Sequence, residues 1–236
     1  MSKVLLVTPL HTLVIATTLI LMTGCSAPAN QNAQKTDIQT VADSSHGNGH
    51  AKSEEACSNN LLTKALPPKT TINDLPFERW DCTFNTARAE YGTKGGKEVE
   101  ITLTDTRSPN INSQPDSLHD FYTHMGETVR QSAQFIVQTS VDTRKNTPAV
   151  PGALEAIGGP DYLPIIESTL TGDPLVIQVG AKDDHTPAEV EALLRDRYAL
   201  SISGSDKSGQ ISGLSGSQAQ TLYDPFLKQM HLDSLP

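Results

Sequence analysis

Along the chain, the spacing of apolar and polar positions changes period several times, and each change predicts an element. The clearest stretch is Glu98 to Asp105, where Val99, Ile101 and Leu103 alternate with Glu98, Glu100, Thr102 and Thr104. That period of two predicts a strand with one dry face and one wet face. Trp80 to Tyr91 reads as the preceding strand, with Cys82 and Phe84 on one face and a continuation through Ala87, Ala89 and Tyr91. Gly92 to Lys97 is the turn that makes the two strands an antiparallel hairpin.

After this hairpin the period lengthens. Ser117 can cap a helix with Asp120 three residues on, and Leu118, Phe121, Tyr122, Met125 and Val129 fall on one stripe. Phe135 to Val141 reads as a strand, with continuation of the helix as the alternative. Thr147 to Pro160 carries three prolines and three glycines and reads as a loop. Tyr162–Leu170 and Leu175–Val179 flank Thr171-Gly172-Asp173-Pro174 as a second hairpin. Thr186-Pro187-Ala188-Glu189 has the form of a helix start, with a capping hydroxyl, a proline at the first helical position and a reciprocal glutamate. The helix it predicts buries Val190, Leu193, Leu194 and Tyr198. Beyond Leu200, Ser and Gly dominate to Ser217 and read as a flexible segment. Asp224-Pro225 can start a short helix bearing Phe226, Leu227 and Met230. The order predicts one α+β domain over residues 61–200, a small antiparallel sheet of two hairpins with helices packed on one face. Residues 201–236 follow as a Ser/Gly-rich segment and a short helix.

The N-terminal part has another character. Lys3 is followed by Val4 to Met22 without any Asp, Glu, Lys or Arg, and the run ends in Leu21-Met22-Thr23-Gly24-Cys25-Ser26. A positive start, an apolar centre and a small-residue exit are the parts of a secretory signal. Pro9, His11 and the threonines at 8, 12, 17 and 18 make the run a poor membrane span. From Ser26 to about Asn60 only Ile38 and Val41 are large and aliphatic, so this stretch reads as a disordered linker with an r.m.s. span of about 33 Å.

The exit sequence resembles the lipobox of bacterial lipoproteins, an aliphatic residue and two small residues before a cysteine, here with Met22 where Leu is usual. The resemblance covers about the first 26 residues. It implies a signal peptide over 1–24, cleavage between Gly24 and Cys25, acyl chains on Cys25, and a lipidated linker over 25–60. Two or three acyl chains hold a protein firmly to a bilayer. Ser26 stands where Asp commonly signals retention in the inner membrane, which implies the periplasmic face of the outer membrane if the cell is Gram-negative. With Cys25 acylated, Cys57 and Cys82 are left as an even pair, most simply a disulfide outside the cytoplasm.

The 236 residues hold 18 Lys+Arg against 27 Asp+Glu, for a net charge of −9. An acidic chain with no basic run argues against nucleic acid as a partner, so the partner expected is membrane lipid through Cys25, with any protein or small-molecule ligand unspecified. His46 and His50 could contribute to a metal site, but two imidazoles fall short of the three or four donors such a site needs. Asp183, Asp184 and His185 are the most polar cluster of the domain. They suit a hard metal or a general base, or two carboxylates favoured by the dipole of the expected helix. His119 and His124 lie five apart and do not share a helix face. Gly92–Lys97 lacks the Ser or Thr and the following helix of a phosphate loop. No cofactor is implied. The expected function is a non-catalytic binding or scaffolding domain on a lipid tether. The alternatives are a lipid-anchored hydrolase using Asp183, Asp184, His185 and His124, or a weak metal-binding module.

Overall fold

The computed structural model describes residues 57–236 except 84 and 108–115. The strands are β1 (Phe77–Cys82), β2 (Thr86–Gly92), β3 (Glu98–Asp105), β4 (Ile165–Ser168), β5 (Pro174–Gln178), β6 (Glu189–Leu194), β7 (Tyr198–Asp206) and β8 (Gly209–Gln210). The helices are α1 (Asp116–Asn146), α2 (Ala153–Ile157) and α3 (Gly216–Leu227), with short 3₁₀ turns such as Leu61–Ala65 and Leu232–Ser234. One antiparallel sheet runs in the order β1-β2-β3-β7-β6-β5-β4, and β8 pairs with β7. The class is mixed α+β. The sheet has eight strands rather than two hairpins, and helices lie on both faces rather than one.

Alternation along the strands sorts the side chains. Ala87, Ala89, Tyr91, Val99, Ile101, Leu103, Leu200, Ile202, Val190, Ala192, Leu194, Leu175 and Ile177 form one buried face. Ala219, Leu222, Tyr223 and Phe226 of α3 cover it, with Leu62 and Ala65 of the first 3₁₀ turn and Leu232 of the last. The Phe226 ring meets Tyr91 edge-on at 5.2 Å, and the Tyr91 hydroxyl donates to the carbonyls of Pro67 and Pro68. On the other face α1 packs over β4 to β7, burying Val176 and Ala199 against Ala133 and Val137.

Several expectations are corrected. The strand expected over 80–91 breaks at Thr83, because the Asn60 amide donates to the carbonyls of Thr83 (2.7 Å) and Thr86 (3.1 Å) and holds the chain in a turn. Phe135–Val141 is helix, a continuation of α1 that places Val137 and Ser140 on the sheet. The 147–160 stretch contains two 3₁₀ turns and α2. The helix expected from Thr186 is strand β6. Its residues Val190, Ala192 and Leu194 are buried in alternation, and Arg195 and Asp196 turn the chain with φ of 53° and 51°. The segment expected to be flexible from 201 to 217 begins with the rest of β7, which occupies the centre of the sheet and crosses the boundary expected at 200, and continues through β8 to the start of α3. α3 begins at Gly216, capped by Ser215 and Gln218, and Pro225 lies inside it rather than at its start.

Where α1 leaves β3 behind, Gly126 sits against the backbone of Thr106. A Cβ on Gly126 would lie 2.3 Å from the Thr106 carbonyl oxygen. In an exposed helix Gly→Ala stabilises by about 1 kcal/mol. Here the overlap reverses the sign, and Gly126→Ala is expected to destabilise by about 2 kcal/mol in chemical denaturation. A more stable variant would show that α1 does not approach the sheet here.

Candidate functional site

Because α1 covers the sheet over β4 to β7, the same face over β1, β2, β3 and the end of β7 keeps its polar side chains half-exposed. Strand register builds rows of them. Arg79, Glu90, Glu100, Ser203 and Glu189 are successive cross-strand partners over β1, β2, β3, β7 and β6. The next row is Asp81, Arg88, Thr102, Ser201 and Glu191. Arg79 pairs with Glu90 at 2.8 Å and Arg88 with Glu100 at 3.4 Å. Glu78, Glu98, Ser205 and Gln210 complete the walls of a groove of about 440 Å³. Its guanidinium, carboxylate and hydroxyl groups can exchange hydrogen bonds with a polar partner at several points.

The carboxyls differ in environment. Burial pushes Glu191 up to about 7, opposed by a hydrogen bond with the Ser201 hydroxyl, and the charge of Glu189 adds to the rise. Burial also raises Glu189. By contrast, Arg79 is held more firmly protonated by its bond to Glu90.

A second cluster ties the end of the sheet to α1. Arg197 binds both carboxylate oxygens of the buried Asp105, at 2.9 and 2.6 Å. Asp196 accepts from Arg107 and from Arg130 at 2.9 Å, and Arg130 also pairs with Glu127 at 2.7 Å. These bonds hold the left-handed turn at 195–196 and fix its place beside α1.

Cys57 and Cys82 are joined with their Cα atoms 5.2 Å apart, which clamps the start of the described chain to β1. Gly24, Cys25, His46 and His50 lie outside the described residues. Asp183, Asp184 and His185 form an exposed loop that leads into strand β6, so neither the helix nor its dipole is there to favour the carboxylates. Asp183 has φ of 66°, and Asp184 accepts from the Thr186 hydroxyl at 2.8 Å, which holds its carboxyl below the usual range. His124 is exposed on α1, and neither it nor His185 lines the groove. Among the described residues no group of three His, Cys, Asp or Glu is placed to hold a metal ion. Reasoning from sequence misses the groove because the stretch after Leu200, which supplies Ser203, Gly204, Ser205 and Gln210 to its wall, reads as a flexible segment. The available signal is the alternation of Ser201, Ser203 and Ser205 with Leu200, Ile202 and Gly204 along β7.

Glu191 gives a pH test. Its carboxyl titrates near 7 in the folded chain against about 4.5 unfolded, so the folded state holds the extra proton in that window and stability falls as pH rises through it. Glu191→Gln is expected to match the parent at pH below about 4.5 and to exceed it by about 2 kcal/mol above about pH 7. Denaturation midpoints of both proteins at the two pH values check this; an equal gap at both would contradict it. No family model, curated protein or solved structure matches the chain, so its function is read from its own residues.

Proposed function

We propose that the chain is an exported envelope lipoprotein, a non-catalytic binding or scaffolding domain held by acylated Cys25 at the periplasmic face of the outer membrane. The observation that carries this reading is the distribution of its three cysteines. Two of them, Cys57 and Cys82, are joined to each other, which suits an oxidising compartment. The third, Cys25, is the odd one, and it directly follows Thr23-Gly24 at the end of an uncharged apolar run. An odd cysteine in an exported protein needs a use, and acylation supplies one.

The remaining features agree with that reading. Cleavage before Cys25 removes Lys3 and no acid, leaving 17 Lys+Arg against 27 Asp+Glu, a net charge of −10. Such a chain is repelled by an anionic leaflet, so its attachment depends on hydrocarbon rather than on side-chain charge. No helix of the described residues is long and apolar enough to cross a membrane. The groove over β1 to β3 offers paired donors and acceptors to a polar partner.

Mass spectrometry of the detergent-extracted protein tests the proposal. It should show loss of the first 24 residues and added acyl mass on Cys25, and Cys25→Ser should move an otherwise folded domain into the soluble fraction. An unacylated chain retaining Met1 would overturn it. The disulfide is tested separately. It closes a loop across 25 positions, so the double variant Cys57→Ser/Cys82→Ser should lose about 3.5 kcal/mol on the chain-entropy account. Unchanged stability would remove the clamp from the account.

A further inference from the structure

The helix α1 wears its large apolar residues on the outside. Its sheet-facing side is built from small residues, with Gly126, Ala133, Val137 and Ser140 buried. Phe121, Met125 and Phe135 are instead 54, 44 and 69% exposed. The stripe expected to face the core therefore turns partly to solvent.

Six of the exposed positions, the large apolar ones among them, share one spacing. Phe121, Met125, Thr128, Ser132, Phe135 and Thr139 follow one another at intervals of 4, 3, 4, 3 and 4 residues. The alternation of 4 and 3 repeats every seven residues, the pattern of a two-stranded coiled coil, in which such a seam stays in contact with a second helix. None of the six is Asp, Glu, Lys or Arg, and the half-buried Val129 and Ile136 widen the seam on one side.

We propose that α1 is the interface of a homodimer, with two copies of the chain packed antiparallel along this seam. The seam is complementary to itself about a two-fold axis near residue 130. That axis sets Met125 of one copy opposite Phe135 of the other, twice over, and Phe121 opposite Thr139. Thr128 then meets Ser132 at the centre, where small side chains let the helices approach closely. Thioether against aromatic ring is a favourable contact. From 121 to 139 the seam is about 27 Å long, and burying it on both copies removes on the order of 1,000 Å² from water, the lower limit of a specific interface.

Charge selects a second copy over a lipid surface. α1 carries Asp116, Asp120, Glu127 and Asp142 against Arg130, Arg144 and Lys145, whereas helices that lie on membranes are rich in Lys and Arg on their polar face. The dimer does not depend on lipidation of Cys25.

Sedimentation equilibrium of the full chain in density-matched detergent tests the proposal, with circular dichroism as the check on folding. The parent is expected as two chains per particle, and Phe135→Asp as one, with its spectrum unchanged. Under mild oxidation the double variant Met125→Cys/Phe135→Cys should cross-link two chains. Phe135→Cys alone should not, because its two copies lie about 15 Å apart along the seam. A parent that sediments as a single chain, a Phe135→Asp variant still at two chains, or equal cross-linking of the single and double variants would each overturn it. So would a single-chain parent whose partition into phosphatidylcholine vesicles is lost in Phe135→Asp, since the stripe would then face lipid.

Discussion

The pairing of β3 with β7 is the constraint on which the other elements depend. Glu98–Asp105 lies against Ser205–Tyr198 in one unbroken antiparallel ladder, joining segments about a hundred residues apart in the chain. On one side of that ladder hang β2 and β1, on the other β6, β5 and β4. Without it the chain would hold two meanders, each with an open edge and half a core. With it Ile101 stands beside Ile202 and Leu103 beside Leu200, and the apolar face is continuous enough for α3 to cover. Such long-range pairing carries a loop-closure cost before its contacts form. α1, lying across the second meander, and the Asp105–Arg197 pair at the end of the ladder help to offset it.

Local pattern revealed those parts of the fold whose burial is decided locally. β3 has one face in the core and one in water, and its alternation is plain in the residues themselves. The β4–β5 hairpin is marked by its turn. β6 was misread because Val190 and Leu194 fit a helical stripe as well as an alternating one, and Thr186-Pro187 supplied a helix start. What decides for the strand is the presence of β5 and β7 on either side, which residues 186–198 alone do not contain. In β7 the wet positions are Ser201, Ser203 and Ser205, so small polar residues hid the buried Leu200 and Ile202 between them. Phe135–Val141 is rich in β-branched residues, yet it remains helical because it extends a helix already packed on the sheet. The candidate groove shares this dependence, since its rows of Arg, Glu and Ser exist only once register brings five strands together.

The same division of the sheet separates the roles proposed for its surfaces. Small residues on the inner side of α1 bring it close over β4 to β7, and this leaves the polar rows over β1 to β3 open. The large apolar residues of α1 are left for the outside. The proposed membrane attachment uses Cys25, which precedes the domain in the sequence. The disulfide between Cys57 and Cys82 ties the start of the described chain to the edge strand β1.

Amide hydrogen exchange on the folded chain tests the central pairing most directly. If β3 and β7 unite the two meanders, the amides paired between 98–105 and 198–206 will be the slowest in the protein. They will exchange only with global unfolding, at a single free energy shared by both strands. Rapid exchange across 198–206, or two distinct opening energies for the segments 77–105 and 165–206, would contradict the account.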